Sequence, residues 1–213
     1  MRHRIARLLA GIVGAEALVV MIGWVFGLDQ LTRIVPVGIN MKFITALLFL
    51  LSAVGLYLMS RVIRDGNELA LVMLPGIALV IFLVTTTLLV GRLLGTPTGI
   101  ENLFLNIAGP VDFSGAPSKE GWPSLFTLIN FMLIGLVGVA SLFPGFLRER
   151  FLTYLGYFIA AIGLVAVVGY TFGLPVLYYG ISASMVPMAL NTAVCFILLG
   201  FGLTQIYKPE TEQ

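Results

Sequence analysis

The sequence predicts an all-α integral membrane protein: six transmembrane helices in three pseudo-repeated hairpins, with both termini in the cytoplasm. Three observations carry this. First, 59% of the 213 residues are hydrophobic and only 10% are charged, against about 25% charged in a soluble domain. So little charge cannot cover a water-facing surface. Second, six apolar stretches, roughly 7–27, 42–60, 68–94, 123–143, 152–172 and 185–206, reach the about 20 residues that a hydrocarbon layer about 30 Å thick requires. Third, one signature is written three times. Gly-x-x-x-Gly closes one stretch, and Thr-x-x-x-Phe opens the next.

The first stretch follows a basic start, Met-Arg-His-Arg-Ile-Ala-Arg, which superficially resembles a signal peptide. It belongs to the repeat, however, so it is expected to stay as a helix. The second returns from an outer loop and ends at Arg64-Asp65-Gly66-Asn67, a turn-forming cluster. The third contains Pro75-Gly76, a site where a helix can kink. Between it and the fourth lies an outer insertion, about 96–122, whose start (100–108) could lie at the interface as an amphipathic helix. Pro144-Gly145 breaks the chain before the fifth stretch, and the sixth ends near Tyr207. The whole chain, 1–213, reads as one domain with hairpins at about 7–60, 68–143 and 152–206.

Orientation follows from the charges. With the N-terminus inside, Arg2, Arg4, Arg7, Arg61, Arg64, Arg148, Arg150 and Lys208 are cytoplasmic. Arg33, Lys42, Arg92 and Lys119 are external. Eight against four obeys the positive-inside rule. Trp24, Phe26, Trp122, Tyr170, Phe172, Tyr178 and Tyr179 form an outer aromatic belt; Tyr57, Phe143, Phe146, Phe151, Tyr154 and Tyr207 form an inner one.

The three copies of the signature are Gly23/Gly27 with Thr45/Phe49, Gly91/Gly95 with Thr127/Phe131, and Gly169/Gly173 with Thr192/Phe196. The alignment also pairs Met41 with Met188 and Gly55 with Gly202. From second glycine to threonine is 18 residues in the first copy, 19 in the third and 32 in the middle one. The middle copy therefore carries the insertion. Glycines four apart share a helix face and admit a neighbouring backbone. A threonine hydroxyl can bond a carbonyl one turn back, and the phenylalanine four residues on fills the space between helices. Helix packing is thus the expected role of all twelve residues, with direct ligand contact as the alternative. Ala10/Gly14, Gly11/Ala15, Gly156/Ala160 and Ala189/Ala193 are further small pairs that mark close contacts within the chain or between copies.

Four polar residues are candidates for a ligand or an interhelical contact: Glu16, Thr86, Asn130 and Asn191. Glu16 is the one ionisable group deep in a span, where charge costs several kcal/mol. It is either a proton, cation or ligand contact, or a neutral acid bonded across the bundle to Asn191, Thr192 or Asn130. Arg92, at the end of the third stretch, is expected to snorkel outward. Reactive constellations are missing from the sequence. There is no intramembrane histidine pair, no mid-span lysine, no phosphate-binding Gly-Lys motif and no nucleophile beside a base. One cysteine, Cys195, and one histidine, His3, give neither a disulfide nor a cysteine-based metal site. No catalytic or metal site and no nucleic-acid contact is predicted.

The segments Gly-Tyr-Thr-Phe-Gly-Leu-Pro-x-Leu-Tyr (169–178) and Met-Ala-Leu-Asn-Thr-Ala-x-x-Phe-x-Leu-Leu-Gly (188–200) resemble hairpins in the N-terminal multi-pass sensor regions of bacterial histidine kinases and diguanylate cyclases. The copy at 23–55 resembles them more loosely. The resemblance implies a non-enzymatic sensory-input-like module of the bacterial cytoplasmic (inner) membrane, passing a signal to a partner through helix packing. In that family an output domain follows the last span, whereas this sequence runs to Lys-Pro-Glu-Thr-Glu-Gln213. The expectation divides between a shortened sensor, a stand-alone module and an accessory subunit of a larger membrane complex. A lipid-, quinone- or pigment-binding protein is the third functional reading. The implied partners are membrane lipids, other membrane subunits or a cytoplasmic signalling protein, with homodimerisation left open. No cofactor is predicted, though a bound lipid or quinone is compatible.

Overall fold

The computed structural model describes residues 2–35, 38–100, 121–140, 149–179 and 186–206. Regular structure among these is entirely helical. In order come α1 (Arg2–Phe26), a 3-10 turn (Asp29–Leu31), α2 (Phe43–Asp65), α3 (Glu68–Leu94), α4 (Leu125–Ala140), α5 (Glu149–Phe172), the single turn α6 (Val176–Tyr179) and α7 (Leu190–Thr204). The expected interfacial helix after Ile100, the break at Pro144-Gly145 and the tail from Tyr207 fall outside the described residues.

Among the described residues four helices are long and apolar enough to cross a membrane: α1, α2, α3 and Phe151–Phe172 of α5. The expected spans 123–143 and 185–206 begin as helix later than expected. α4 starts at Leu125, and α7 holds 15 helical residues, Leu190–Thr204, which reach only about 22 Å. The reason is local. Trp122-Pro123-Ser124 leads into α4, and residues 186–189 lead into α7 without helix, Ala189 being extended (φ −67°, ψ 151°). These lead-ins are apolar, so composition counts them as span, yet their backbone is not helical.

α1/α2, α3/α4 and α5/α7 pack as three hairpins, as the repeat predicts. The inner helix of each also meets the outer helix of the next: α2 meets α3, α4 meets α5, and α7 returns to α1. This closes a pseudo-threefold ring, with α2, α4 and α7 inside. Burial agrees: 61% of the apolar window of α2 is buried, against 33% for α1 and 28% each for α3 and α5. The outer helices present Leu8, Ile12, Leu69, Val72, Leu83 and Leu164 to the surroundings. An apolar surface that extensive suits lipid rather than water.

The two ends of the bundle differ. At the terminal end, α2 stops at Gly66 in the left-handed region (φ 58°), and Asn67 caps α3 by accepting from Ala70 N at 2.8 Å. That tight turn leaves Asp65 facing Arg7, Arg61 and Arg64 at 3.0, 3.2 and 3.4 Å. Arg7 also donates to Ser60 Oγ at 3.0 Å, tying α1 to α2. α3 runs through Pro75 without interruption. The other end, called the loop end below, carries the three longer connections.

Candidate functional site

At the loop end each copy of the signature builds the same joint. The second glycine, Gly27, Gly95 or Gly173, has φ between +63° and +68°. It is the left-handed residue that stops its helix. The next backbone N–H turns back to the first glycine: Leu28 to Gly23 O at 2.8 Å, Thr96 to Gly91 O at 2.9 Å and Leu174 to Gly169 O at 2.8 Å. The first glycine gives room to the descending chain. A Cβ there would meet Leu31 and Leu28 O at Gly23, Thr98 and Thr96 O at Gly91, and Leu177 and Leu174 O at Gly169. The expectation that these six glycines dock a neighbouring helix is therefore corrected: they end helices and accommodate the turn. Close helix approach occurs elsewhere, above all where a Cβ on Gly200 of α7 would clash with Gly156 O of α5.

A side chain then closes each joint. The residue after the first glycine donates to the carbonyl four residues before the signature threonine. Trp24 Nε1 donates to Met41 O at 2.8 Å, Tyr170 OH to Met188 O at 2.7 Å, and the Arg92 guanidinium to Pro123 O. Those carbonyls sit on the non-helical lead-ins, where no intrahelical donor exists and low dielectric makes an unpaired carbonyl costly. Arg92 is thus held inward by a protein partner rather than simply snorkelling. Sequence reasoning missed this clamp. Its signal was present in the glycine alignment, which stacks Trp24, Arg92 and Tyr170 in one column, three donors of unlike chemistry.

Below the joints the inner helices meet. Phe49, Phe131 and Phe196 come from different hairpins, are fully buried, and form a closed aromatic triad with centroids 4.7, 4.7 and 5.0 Å apart. Interplanar angles of 55–67° place ring edges toward ring faces, the favourable arrangement. Thr45, Thr127 and Thr192 lie one turn nearer the loops, each only 2% exposed. The hydroxyl of Thr127 bonds Ser124 Oγ at 2.7 Å, not a carbonyl one turn back, while Ser124 Oγ caps α4 by accepting from Thr127 N at 3.1 Å.

The four polar candidates separate. Asn191 is occupied by protein: its Nδ2 donates to Thr32 O at 3.1 Å, linking α7 to the first loop, and its Oδ1 accepts from Thr192 N. Glu16 is half-buried on α1, within electrostatic range of Cys195 on α7. Among the described residues no hydrogen bond joins it to Asn191, Thr192 or Asn130, contrary to that expectation. Asn130 is completely buried on α4, and among the described residues neither Nδ2 nor Oδ1 has a partner; Thr86 Oγ1 on α3 is likewise buried and unpartnered among them. The antiparallel register that sets Phe82 beside Gly135 and Ala78 beside Gly138 brings Thr86 level with Asn130. On the terminal side of the triad, a cavity of about 40 Å³ opens between α2, α3, α4 and α7, bordered by Ser52, Gly55, Leu74, Ile81, Ile134 and Leu199. At the loop end, Arg92, Gly95, Pro97 and Trp122 border a second pocket of about 120 Å³. Among the described residues no cluster of three His, Cys, Asp or Glu side chains could hold a metal ion. No known protein family, curated protein or solved structure matches the chain.

Proposed function

We propose that the chain is a non-enzymatic, six-span module of the bacterial cytoplasmic membrane that works as a sensory input. It passes changes in helix packing along α7 to a cytoplasmic partner. In this reading α4 and α7 complete their crossings through the buried lead-ins, where Pro123, Met188 and Ala189 are already enclosed. The loop end faces outward and the arginine-rich end faces the cytoplasm, in keeping with the charge bias.

The observation that carries the reading is the triad. Each hairpin contributes one ring to a single contact, so displacement of any hairpin at the loop end is felt by the other two. A bundle that signals must hold two packings that its stimulus weights differently. The cavity of about 40 Å³ beyond the rings leaves the inner helices room to re-pack at the end nearest the partner.

The test uses the full chain with Cys195→Ala and spin labels at Ile63→Cys on α2 and Phe201→Cys on α7, both partly exposed. Inter-label distances are measured in nanodiscs of short- and long-chain phosphatidylcholine. A shift on the order of 1–2 Å, the scale of helix movements in switching proteins, is expected between the two. One unchanging distribution across all lipids would remove the sensory reading.

The unpartnered amide of Asn130 favours a second reading, a carrier of lipid, quinone or pigment with Thr86 and Asn130 as polar anchors. Native mass spectrometry of the gently extracted protein decides it. A retained small molecule that is lost in Asn130→Leu supports the carrier; a bare polypeptide mass argues against it.

A further inference from the structure

The clamp at the loop end is made three times, but only once with a charge. Trp24 and Tyr170 show that a single neutral N–H or O–H suffices to hold the lead-in carbonyl. The middle hairpin does the same job with Arg92, which brings a full positive charge and five N–H donors. Pro123 O takes only a fraction of that capacity. The guanidinium is half-buried, and no carboxylate among the described residues forms an ion pair with it. Partial desolvation of a cation without a counter-charge is unfavourable, so the clamp alone does not account for an arginine here.

What lies beside Arg92 completes the case. The pocket of about 120 Å³ is bordered by Arg92, Gly95, Pro97 and Trp122. The tip of the Trp122 indole reaches to Gly91, where an added Cβ would stand 3.4 Å from it, so the ring stands beside the last turn of α3, which carries Arg92. A guanidinium presents a planar fork of donors matched to two oxygens of a carboxylate or phosphate. The aromatic and proline walls suit an apolar body behind those oxygens.

We propose that the Arg92 pocket is an oxyanion-binding site that takes a single carboxylate or phosphate group carried on a small apolar body. One cation sets the charge of the preferred ligand at about minus one. The group can arrive on a soluble organic acid or phosphate, or on the head group of an anionic lipid, since the pocket stands at the loop end of α3. If the sensory reading holds, this is where its stimulus enters, but the site is tested apart from it.

The full chain is prepared with Trp24→Tyr, which copies the donor used in the third hairpin and leaves Trp122 as the only tryptophan. In nanodiscs of pure phosphatidylcholine, Trp122 emission is titrated with butyrate and with inorganic phosphate. In a separate arm, without soluble anion, phosphatidylglycerol replaces part of the lipid. The expected result is a saturable change in at least one arm. It weakens tenfold or more in Arg92→Tyr, which keeps the clamp donor and loses the charge, and is partly retained in Arg92→Lys. A response to soluble anion identifies a free ligand, and a response to phosphatidylglycerol alone identifies a lipid head group. No saturable response in any arm, or equal affinity in Arg92→Tyr with an unchanged melting temperature, overturns the proposal. Because binding is read at Trp122, its failure leaves the movement of α7 undecided. A bound anion with α7 unmoved would count against anion-driven signalling alone.

Discussion

In the first hairpin the loop after α1 is held by charge and amide. Arg33 pairs with Asp29, Asn40 Nδ2 donates to Asp29 Oδ1 at 2.9 Å, and Thr32 Oγ1 donates to Asp29 O at 2.8 Å. In the third, the corresponding stretch is held by rings. Tyr170 and Tyr178 stack at 4.2 Å with planes 10° apart, and Tyr179 lies 5.2 Å from Tyr178. The backbone beneath repeats the same bonds. Leu31 N reaches Leu28 O at 3.0 Å and Leu177 N reaches Leu174 O at 3.1 Å; Met41 N reaches Thr32 O at 2.8 Å and Met188 N reaches Tyr178 O at 2.9 Å. The frame is thus set by the glycine stop, the clamp and the lead-in, while the loop side chains vary without disturbing it. Variable chemistry on an invariant frame is how bundles diversify at their loops, and Arg92 is the middle hairpin's version of that freedom.

The largest effect that can break this equivalence lies in the triad. Phe49→Ala and Phe196→Ala each remove a fully buried ring with near-identical neighbours. Both should lower stability by about 2–4 kcal/mol, mostly through lost packing. Thermal unfolding in detergent checks this, and the two variants should agree within about 1 kcal/mol; a wider gap means that the hairpins bear unequal load.

Next come the first glycines. A Cβ at Gly23 or Gly169 falls 3.0 Å from Leu28 O or Leu174 O, respectively. Gly23→Ala and Gly169→Ala should therefore each cost about 1–3 kcal/mol by overpacking. If alanine is tolerated at one and not at the other, the shared frame is less rigid than its hydrogen bonds imply. The smallest effect sharpens the comparison at the clamp. Trp24→Phe and Tyr170→Phe keep an aromatic ring and delete the donor. Each should cost about 1 kcal/mol, the usual worth of an interhelical hydrogen bond in a membrane. Amide hydrogen exchange at the two lead-ins should rise in step with that loss.

Much of this was legible in the residues. The hairpin unit, the tight turn at Gly66-Asn67 and the shared role of the three phenylalanines follow from spacing alone. The roles of the glycines did not, because Gly-x-x-x-Gly reads identically whether it docks a helix or ends one. Only the positive φ at Gly27, Gly95 and Gly173 separates the two. The late starts of α4 and α7 were hidden because Pro123 and Met188-Ala189 are as apolar as a helix interior while being non-helical. The clamp was hidden by its variety, since Trp24, Arg92 and Tyr170 share nothing but a hydrogen-bond donor. Asn130 was legible as polar, but its lack of a partner among the described residues required the fold.

The cavity bordered by Ser52, Gly55 and Ile134 lies entirely on one side of the aromatic triad. Void volume is what pressure eliminates, so compression would draw α2, α3, α4 and α7 together on that side of the rings. Phe49, Phe131 and Phe196 are already in contact and would act as the fulcrum of that movement.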